Sequence, residues 1–173
     1  MISADKHFER WIVAHRIEWL DWLFIDLSRI GTIGLVWILI GAVLAVIWRR
    51  PWLFAGVVAA DVVADLLATL GKALVHRHRP FVHQLGPKTS THSFPSGHSA
   101  TSFACATMLA AAAPRLRVLL YALAALIAFS RLYNGDHFPL DVLAGSVLGI
   151  LVATALLRLA GARRRSHRAL RPG

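Results

Sequence analysis

Three short groups of residues in this chain carry side chains suited to handling a phosphoryl group. The most informative is Ser130-Arg131, five residues, His137, three residues, Asp141, within the segment SRLYNGDHFPLD. Upstream lie Lys72, six residues, Arg79-Pro80, and then Pro95-Ser96-Gly97-His98. On a helix beginning near Pro139, His137 and Asp141 are one turn apart and share a face, so the carboxylate can reach the imidazole. A carboxylate accepting from one ring nitrogen sets the tautomer and leaves the other nitrogen's lone pair available for attack. Taken alone, the same Asp reads as a helix N-terminal residue that merely favours the dipole.

Pro95-Ser96-Gly97-His98 stands where a polar loop enters an apolar, helical stretch. Backbone N–H groups at such a start bind anions, glycine admits a phosphate closely, and Ser96 can both cap and donate. His98 is then placed to give a proton to a leaving oxygen. The bland account of these four residues is a helix cap followed by a surface histidine. Lys72, Arg79 and Arg131 come from three different segment ends. Each by itself reads as a snorkelling interfacial cation; converging, they suit a phosphoryl group whose charge is spread over three oxygens. Arg77 and Lys88 have no place in the three groups and are assigned to a solvated rim. His76, His78, His83 and His92 show no firm ligand spacing and no cysteine accompanies them, so no dedicated metal site is expected.

The elements that must position these residues are apolar. The chain has 173 residues, 57% of them hydrophobic, and a mean hydropathy of +0.58, above the usual range for a soluble domain of this size. One domain spanning residues 1–173 is expected. Apolar stretches of bilayer-spanning length, roughly 17–25 residues, recur at about 31–48, 52–75, 97–113, 116–133 and 138–159. Residues 77–96, rich in His, Pro, Ser and Thr, read as an extramembrane loop. Residues 1–29 carry seven charges between Glu9 and Arg29 among tryptophans at helical spacing, which predicts an amphipathic helix lying in the interface. A polar first span, giving six crossings instead of five, is the alternative. The stretch 161–173, GARRRSHRALRPG, reads as a basic, disordered tail. The expected fold is therefore all-α, a multi-pass transmembrane bundle of five or six spans.

Charge placement orients that bundle. The formal net charge is +10, but no nucleic-acid fold signature is present and the arginines cluster beside apolar runs, which suits topology and anionic headgroups. Five crossings put Arg49, Arg50, Arg115, Arg117 and the arginines of the C-terminal tail on one face, cytoplasmic by the positive-inside tendency. Lys72, the 77–96 loop and the Arg131–His137 turn fall on the opposite, extracytoplasmic face of the cell membrane. The N-terminal segment MISADKHFER lacks the pattern of a cleavable signal, so the first span is expected to act as its own insertion signal. Cys105 is the single cysteine and sits in an apolar stretch, where an inert packing thiol is expected.

K-x6-RP, PSGH and SR-x5-H-x3-D, in this order, resemble the three-part signature of the type 2 phosphatidic acid phosphatase (PAP2) superfamily, which includes lipid phosphate phosphatases, bacterial acid phosphatases and vanadium haloperoxidases. Every signature position is filled, over residues 72–141. The resemblance implies a PAP2/haloperoxidase-like core and metal-independent phosphatase activity without a cofactor. It implies that His137 takes the phosphoryl group as a phosphohistidine, that Asp141 orients it, and that His98 is the general acid and later the base. Lys72, Arg79, Ser96, Gly97 and Arg131 would form the phosphate pocket. The expected substrate is a lipid phosphate presented from the membrane, with an undecaprenyl-type polyprenyl diphosphate favoured. Phosphatidylglycerol phosphate, phosphatidate, lipid A phosphate and a decaprenyl-phosphoryl-sugar phosphate stand as alternatives. A non-catalytic lipid-binding protein on the same scaffold and a soluble phosphatase or haloperoxidase are the competing classes.

Overall fold

The computed structural model describes residues 3–80, 84–85 and 92–169, leaving aside the side chains of residues 33 and 163–169. Among the described residues there are seven α-helices: α1 (Ser3–Ala14), α2 (Glu18–Ile30), α3 (Leu35–Ile47), α4 (Pro51–Val75), α5 (Gly97–Ala112), α6 (Arg117–Tyr133) and α7 (Pro139–Ala169). Short 3-10 turns at Thr32–Gly34 and Pro114–Leu116 lead into α3 and α6. An isolated antiparallel bridge joins His78 to His92.

Helix α5 is the axis of the bundle. Its sequence, GHSATSFACATMLAAA, is dominated by small side chains, and eleven of its sixteen residues are buried. Small residues let helix backbones approach where lipid supplies no hydrophobic drive between helices. The closest approach is to α7. A Cβ added at Gly145 would lie 2.3 Å from the Ser96 carbonyl oxygen, and one at Gly149 would lie 2.1 Å from that of Ala100. Only hydrogen fits at those two positions. Trp37, Leu53, Val57, Leu109 and Ile127 fill the space between α3, α4, α5 and α6. Leu70, Leu74, Val118, Leu143, Val147 and Leu151 point outward and stay exposed, as lipid-facing side chains would.

Helices α4, α6 and α7 provide the three stretches long and apolar enough to cross a bilayer: Pro51–Val75, Pro114–Tyr133 and Pro139–Ala162. The pair α2 and α3, bent by 62°, makes a fourth if it is one broken span. At sixteen residues, about 24 Å, α5 is shorter than the roughly 30 Å hydrocarbon core and is enclosed by its neighbours. By length and composition the described residues hold three or four candidate spans, and the sixteen-residue α5 is too short to count among them; five or six spans were expected.

Two expectations are revised. The stretch 1–29 forms two helices because the chain breaks at 15–17, where Arg16 Nε donates to the Tyr133 carbonyl at 2.6 Å and the Ile17 N–H donates to Tyr133 Oη at 3.0 Å. The basic tail continues α7 in helical form as far as Ala169. Arginine and alanine are strong helix formers, and a helix already seeded by a buried span extends at little cost. The last four residues lie outside the described part of the chain.

Candidate active site

One end of the bundle gathers four helix termini. The C-terminal turn of α4 brings Lys72, the N-terminus of α5 brings Gly97 and His98, the C-terminal turn of α6 brings Arg131, and the approach to α7 brings His137. Lys72, Arg79, Gly97, His98, Arg131 and His137 line one cavity of about 440 Å³. Arg79 enters from the segment after α4, which is anchored where the Ser93 N–H donates to the Arg77 carbonyl at 2.7 Å. Opposite it, the turn after α6 is pinned by the Leu85 N–H donating to the Asn134 carbonyl at 3.0 Å.

His137 is buried, and its two nitrogens face different partners. Nε2 lies 3.4 Å from Arg79 Nη1, which also donates to the Asp136 carbonyl at 2.8 Å. A guanidinium has only donors, so Nε2 is the nitrogen with the free lone pair and the ring proton belongs on Nδ1. Nδ1 stands 3.6 Å from Asp141 Oδ2, close enough for charge attraction and short of a closed hydrogen bond. Burial pushes the His137 imidazole down to about 4, Arg79 and Arg131 add to the fall, and Asp141 opposes it. The ring is neutral at physiological pH, the form a nucleophile needs.

Asp141 lies behind His137, away from the cavity wall. Its Oδ2 accepts from the Phe138 N–H at 2.9 Å, the reach of a third-position carboxylate back to the residue before its helix. Its Oδ1 accepts from Arg77 Nη1 at 2.6 Å. Arg77 is therefore not on a solvated rim: only 12% of its side chain is exposed, and it also pairs with Asp5 of α1. The sequence reading missed it because Asp5 is 72 positions away. Lys88 and His83 fall outside the described residues.

Arg131 is buried and pairs with Asp136 at 2.8 Å; it also donates to Ser28 of α2. Ser96 is fully buried and serves as the α5 cap, accepting from the Ser99 N–H at 3.4 Å and the Ser99 hydroxyl at 3.0 Å. It is not among the cavity-lining residues, whereas its neighbours Gly97 and His98 are. His98 Nε2 lies 3.4 Å from Thr32 Oγ1, in the bend between α2 and α3. His76 and His92 meet ring edge to ring face at 4.8 Å. Among the described residues no group of three His, Cys, Asp or Glu side chains is arranged to hold a metal ion. Cys105 is buried, 3.8 Å from the Val57 carbonyl and 3.9 Å from Asp61 Oδ1.

A neutral imidazole with its lone pair beside an arginine, a second histidine, and three cations around an anion-binding helix N-terminus can transfer a phosphoryl group to nitrogen and on to water. Comparison with known proteins agrees. A family model described as the PAP2 superfamily matches residues 50–165. The chain belongs to the PAP2 superfamily. It resembles an undecaprenyl-diphosphatase of Sulfolobus acidocaldarius, 33% identical over 141 residues that span 78% of this chain and 68% of that one. A decaprenylphosphoryl-5-phosphoribose phosphatase of Mycobacterium tuberculosis is 36% identical over 148 residues, 82% of this chain and 81% of its own length. Among solved structures, a transmembrane PAP2-type phosphatidylglycerolphosphate phosphatase from Bacillus subtilis is similar with a TM-score of 0.77 at 27% identity, covering 92% of this chain and 86% of that one.

This PAP2 phosphatase carries two acidic cavity residues outside the signature, Asp61 and Asp65 of α4. With Lys72 they occupy positions four and eleven residues apart, which bring all three to one helix face. The stripe descends about 16 Å from Lys72 into an apolar span. Asp61 is buried there against Gly34, whose positive φ of 62° turns the chain into α3 and leaves no room for a side chain. Each carboxylate in a span costs about 2.5–3.5 kcal/mol on insertion scales, so the pair was a readable signal.

Proposed function

We propose that the protein hydrolyses the terminal phosphate of a lipid phosphate in the membrane by two displacements on His137. The observation that supports this best is the orientation of His137: Nε2 at the cavity beside Arg79, Nδ1 toward Asp141. Nε2 attacks phosphorus, forming the N–P bond as the P–O bond to the lipid breaks. His98 gives its proton to the departing lipid oxygen. His98 then takes a proton from water, whose oxygen displaces His137 and releases inorganic phosphate. Lys72, Arg79, Arg131 and the first N–H groups of α5 balance the charge on the three phosphoryl oxygens; Ser96 holds that helix start in place. Asp141 keeps the attacking tautomer and steadies the imidazolium that forms when Nε2 bonds to phosphorus.

The arginine asymmetry supports a site on the extracytoplasmic face of the cell membrane, with the arginines of the 49–50 and 115–117 turns and the C-terminal end of α7 in the cytoplasm. On that face a polyprenyl diphosphate, as named for the Sulfolobus relative, is the favoured substrate. Asp61 and Asp65 favour a second reading. Directly below the cation cluster they would repel a second phosphate, while their oxygens could accept from hydroxyls of a sugar spacer, the headgroup named for the Mycobacterium relative.

Purified protein assayed against both substrate kinds decides between them. Under the first reading Asp65→Asn leaves their kcat/KM ratio unchanged. Under the second the ratio moves about tenfold toward the diphosphate, a 1.4 kcal/mol change. A His137→Ala variant that turned over either substrate at the wild-type rate would refute both readings.

A further inference from the structure

We propose that the N-terminal helix α1 is part of the catalytic machinery: Asp5, through the guanidinium of Arg77, holds Asp141 and thereby the ring of His137. The inference rests on the role of His137 proposed above.

The contacts form a closed loop around the start of α7. Arg77 Nη1 donates to Asp141 Oδ1 at 2.6 Å while Arg77 Nη2 donates to Asp5 Oδ2. Asp5 Oδ1 accepts from the Leu140 N–H at 3.0 Å, and Asp141 Oδ2 accepts from the Phe138 N–H at 2.9 Å. One guanidinium thus bridges two carboxylates, and each carboxylate also satisfies a backbone donor at the first turn of α7. Those donors have no partner within the helix, and Pro139 between them has no N–H to offer. The Arg77 guanidinium centre sits 4.3 Å from the Phe138 ring centroid, which sets the plane of the fork. His137 is the residue immediately before this capped turn, so its backbone direction follows the cap.

The geometry is specific to a planar fork. Lysine would keep the charge and could not span both carboxylates with parallel bonds. Asp5 and Asp141 are buried. Losing either partner leaves a buried charge or backbone donor unsatisfied beside the nucleophile. Asp5 and Arg77 touch neither substrate nor the reacting atoms. They are positioning residues: Arg77 comes from the segment after α4, and Asp5 from α1, the helix farthest in sequence from the signature.

The other charged groups around His137 and Asp141 are Arg79 from the segment after α4, Arg131 from α6, Asp136 from the turn after it, Lys72 from α4, and His98 from α5. All remain when Arg77 is replaced by glutamine. The charge on Asp141 is then less compensated, the field at His137 becomes more negative, and the ring takes up a proton at higher pH. The acid limb of kcat/KM moves upward. Partial unfolding would lower the rate by one factor at every pH and leave the limb in place.

The test is steady-state kinetics with a lipid phosphate on full-length protein carrying Asp5→Ala, Arg77→Gln or Arg77→Lys. Partners that orient metal-ligating histidines are worth roughly 10–100-fold, and the same scale is taken for this hydrogen-bonded loop. We expect Asp5→Ala and Arg77→Gln to lower kcat by that factor with KM within about threefold. Arg77→Lys restores the position of the acid limb and only part of kcat. Should Asp5→Ala fail to fold, Asp5→Asn, which keeps an acceptor for Leu140 and removes the charge, is read in its place. A wild-type kcat in Asp5→Ala or Asp5→Asn, or a loss in Arg77→Gln with an unmoved acid limb, overturns the proposal. An active His137→Ala would instead overturn the phosphatase mechanism itself, so the two failures are distinguishable.

Discussion

Replacing Gly149 with alanine tests whether a contact far from the chemistry sets the distance between its two histidines. Gly149 lies twelve residues along the chain from His137, about 18 Å at the helical rise. Its added Cβ would meet the Ala100 carbonyl oxygen at 2.1 Å and the Ala104 nitrogen at 2.8 Å, both in the backbone of α5. Neither atom can rotate away. To reach an ordinary contact the two helices must part by about 1 Å, and interiors packed this densely do not absorb that locally. Overpacking of this kind costs about 1–3 kcal/mol. Elsewhere in a helix, glycine to alanine stabilises by roughly 0.5–1 kcal/mol, so the sign alone distinguishes the two outcomes. Because α5 begins at Gly97-His98 and α7 begins just after His137, the same 1 Å separates acid from nucleophile, and kcat/KM should fall on the order of 100-fold. Thermal unfolding in detergent and phosphate release from a lipid phosphate read the two effects. A Gly149→Ala variant with a wild-type or higher melting temperature and unchanged kcat/KM would refute the reasoning.

The acid dependence of the wild type follows from His137, whose ring must be neutral to attack. With its value pushed down to about 4, the acid limb that His137 contributes to kcat/KM should fall tenfold per pH unit only below about 4; the proton on His98, which burial also holds well below the ordinary histidine value, sets a separate limb on the basic side. A limb near pH 6.5, the ordinary histidine value, would contradict the burial argument. Glu9 of α1 shows the opposite sign: burial raises it from 4.5 to about 7, so the folded protein holds this proton more tightly than the unfolded chain. The stability this confers is complete below pH 4.5 and lost as pH rises through 7. Glu9→Gln should therefore melt higher than wild type at pH 8, with the gap closing toward pH 5; equal melting temperatures at pH 8 would argue against it. Finally, if the cations and the α5 N-terminus supply the electrostatic stabilisation, activity should survive EDTA unchanged, and a loss restored by a divalent cation would sink the metal-free mechanism.

The signature residues were legible because the chemistry fixes both their type and their spacing on helix ends: His137 and Asp141 one turn apart, His98 at the opening of α5, Arg131 at the close of α6. The helices were legible from apolar length, with α4 and α6 within about a residue of their expected limits. Short of structure, nothing separated α5 from a lipid-facing span, because apolar composition does not distinguish lipid from the interior of a bundle. Arg77 was illegible for a different reason. A basic residue in a polar loop reads as solvated, and its partners, Asp5 and Asp141, are brought to it only by folding. The break between α1 and α2 is likewise held by Tyr133, more than a hundred residues away. Asp61 and Asp65 needed only the helical face they share with Lys72.

The central claim is that His137 carries the phosphoryl group. Rapid quenching with a lipid phosphate labelled in its terminal phosphate, followed by peptide mapping under alkaline conditions, measures that directly. We expect an acid-labile label on the peptide containing His137, in wild type or in His98→Ala, where its formation and its hydrolysis are both slowed, and none in His137→Ala. Turnover with no label on that peptide in either wild type or His98→Ala, or label on another residue, would contradict it.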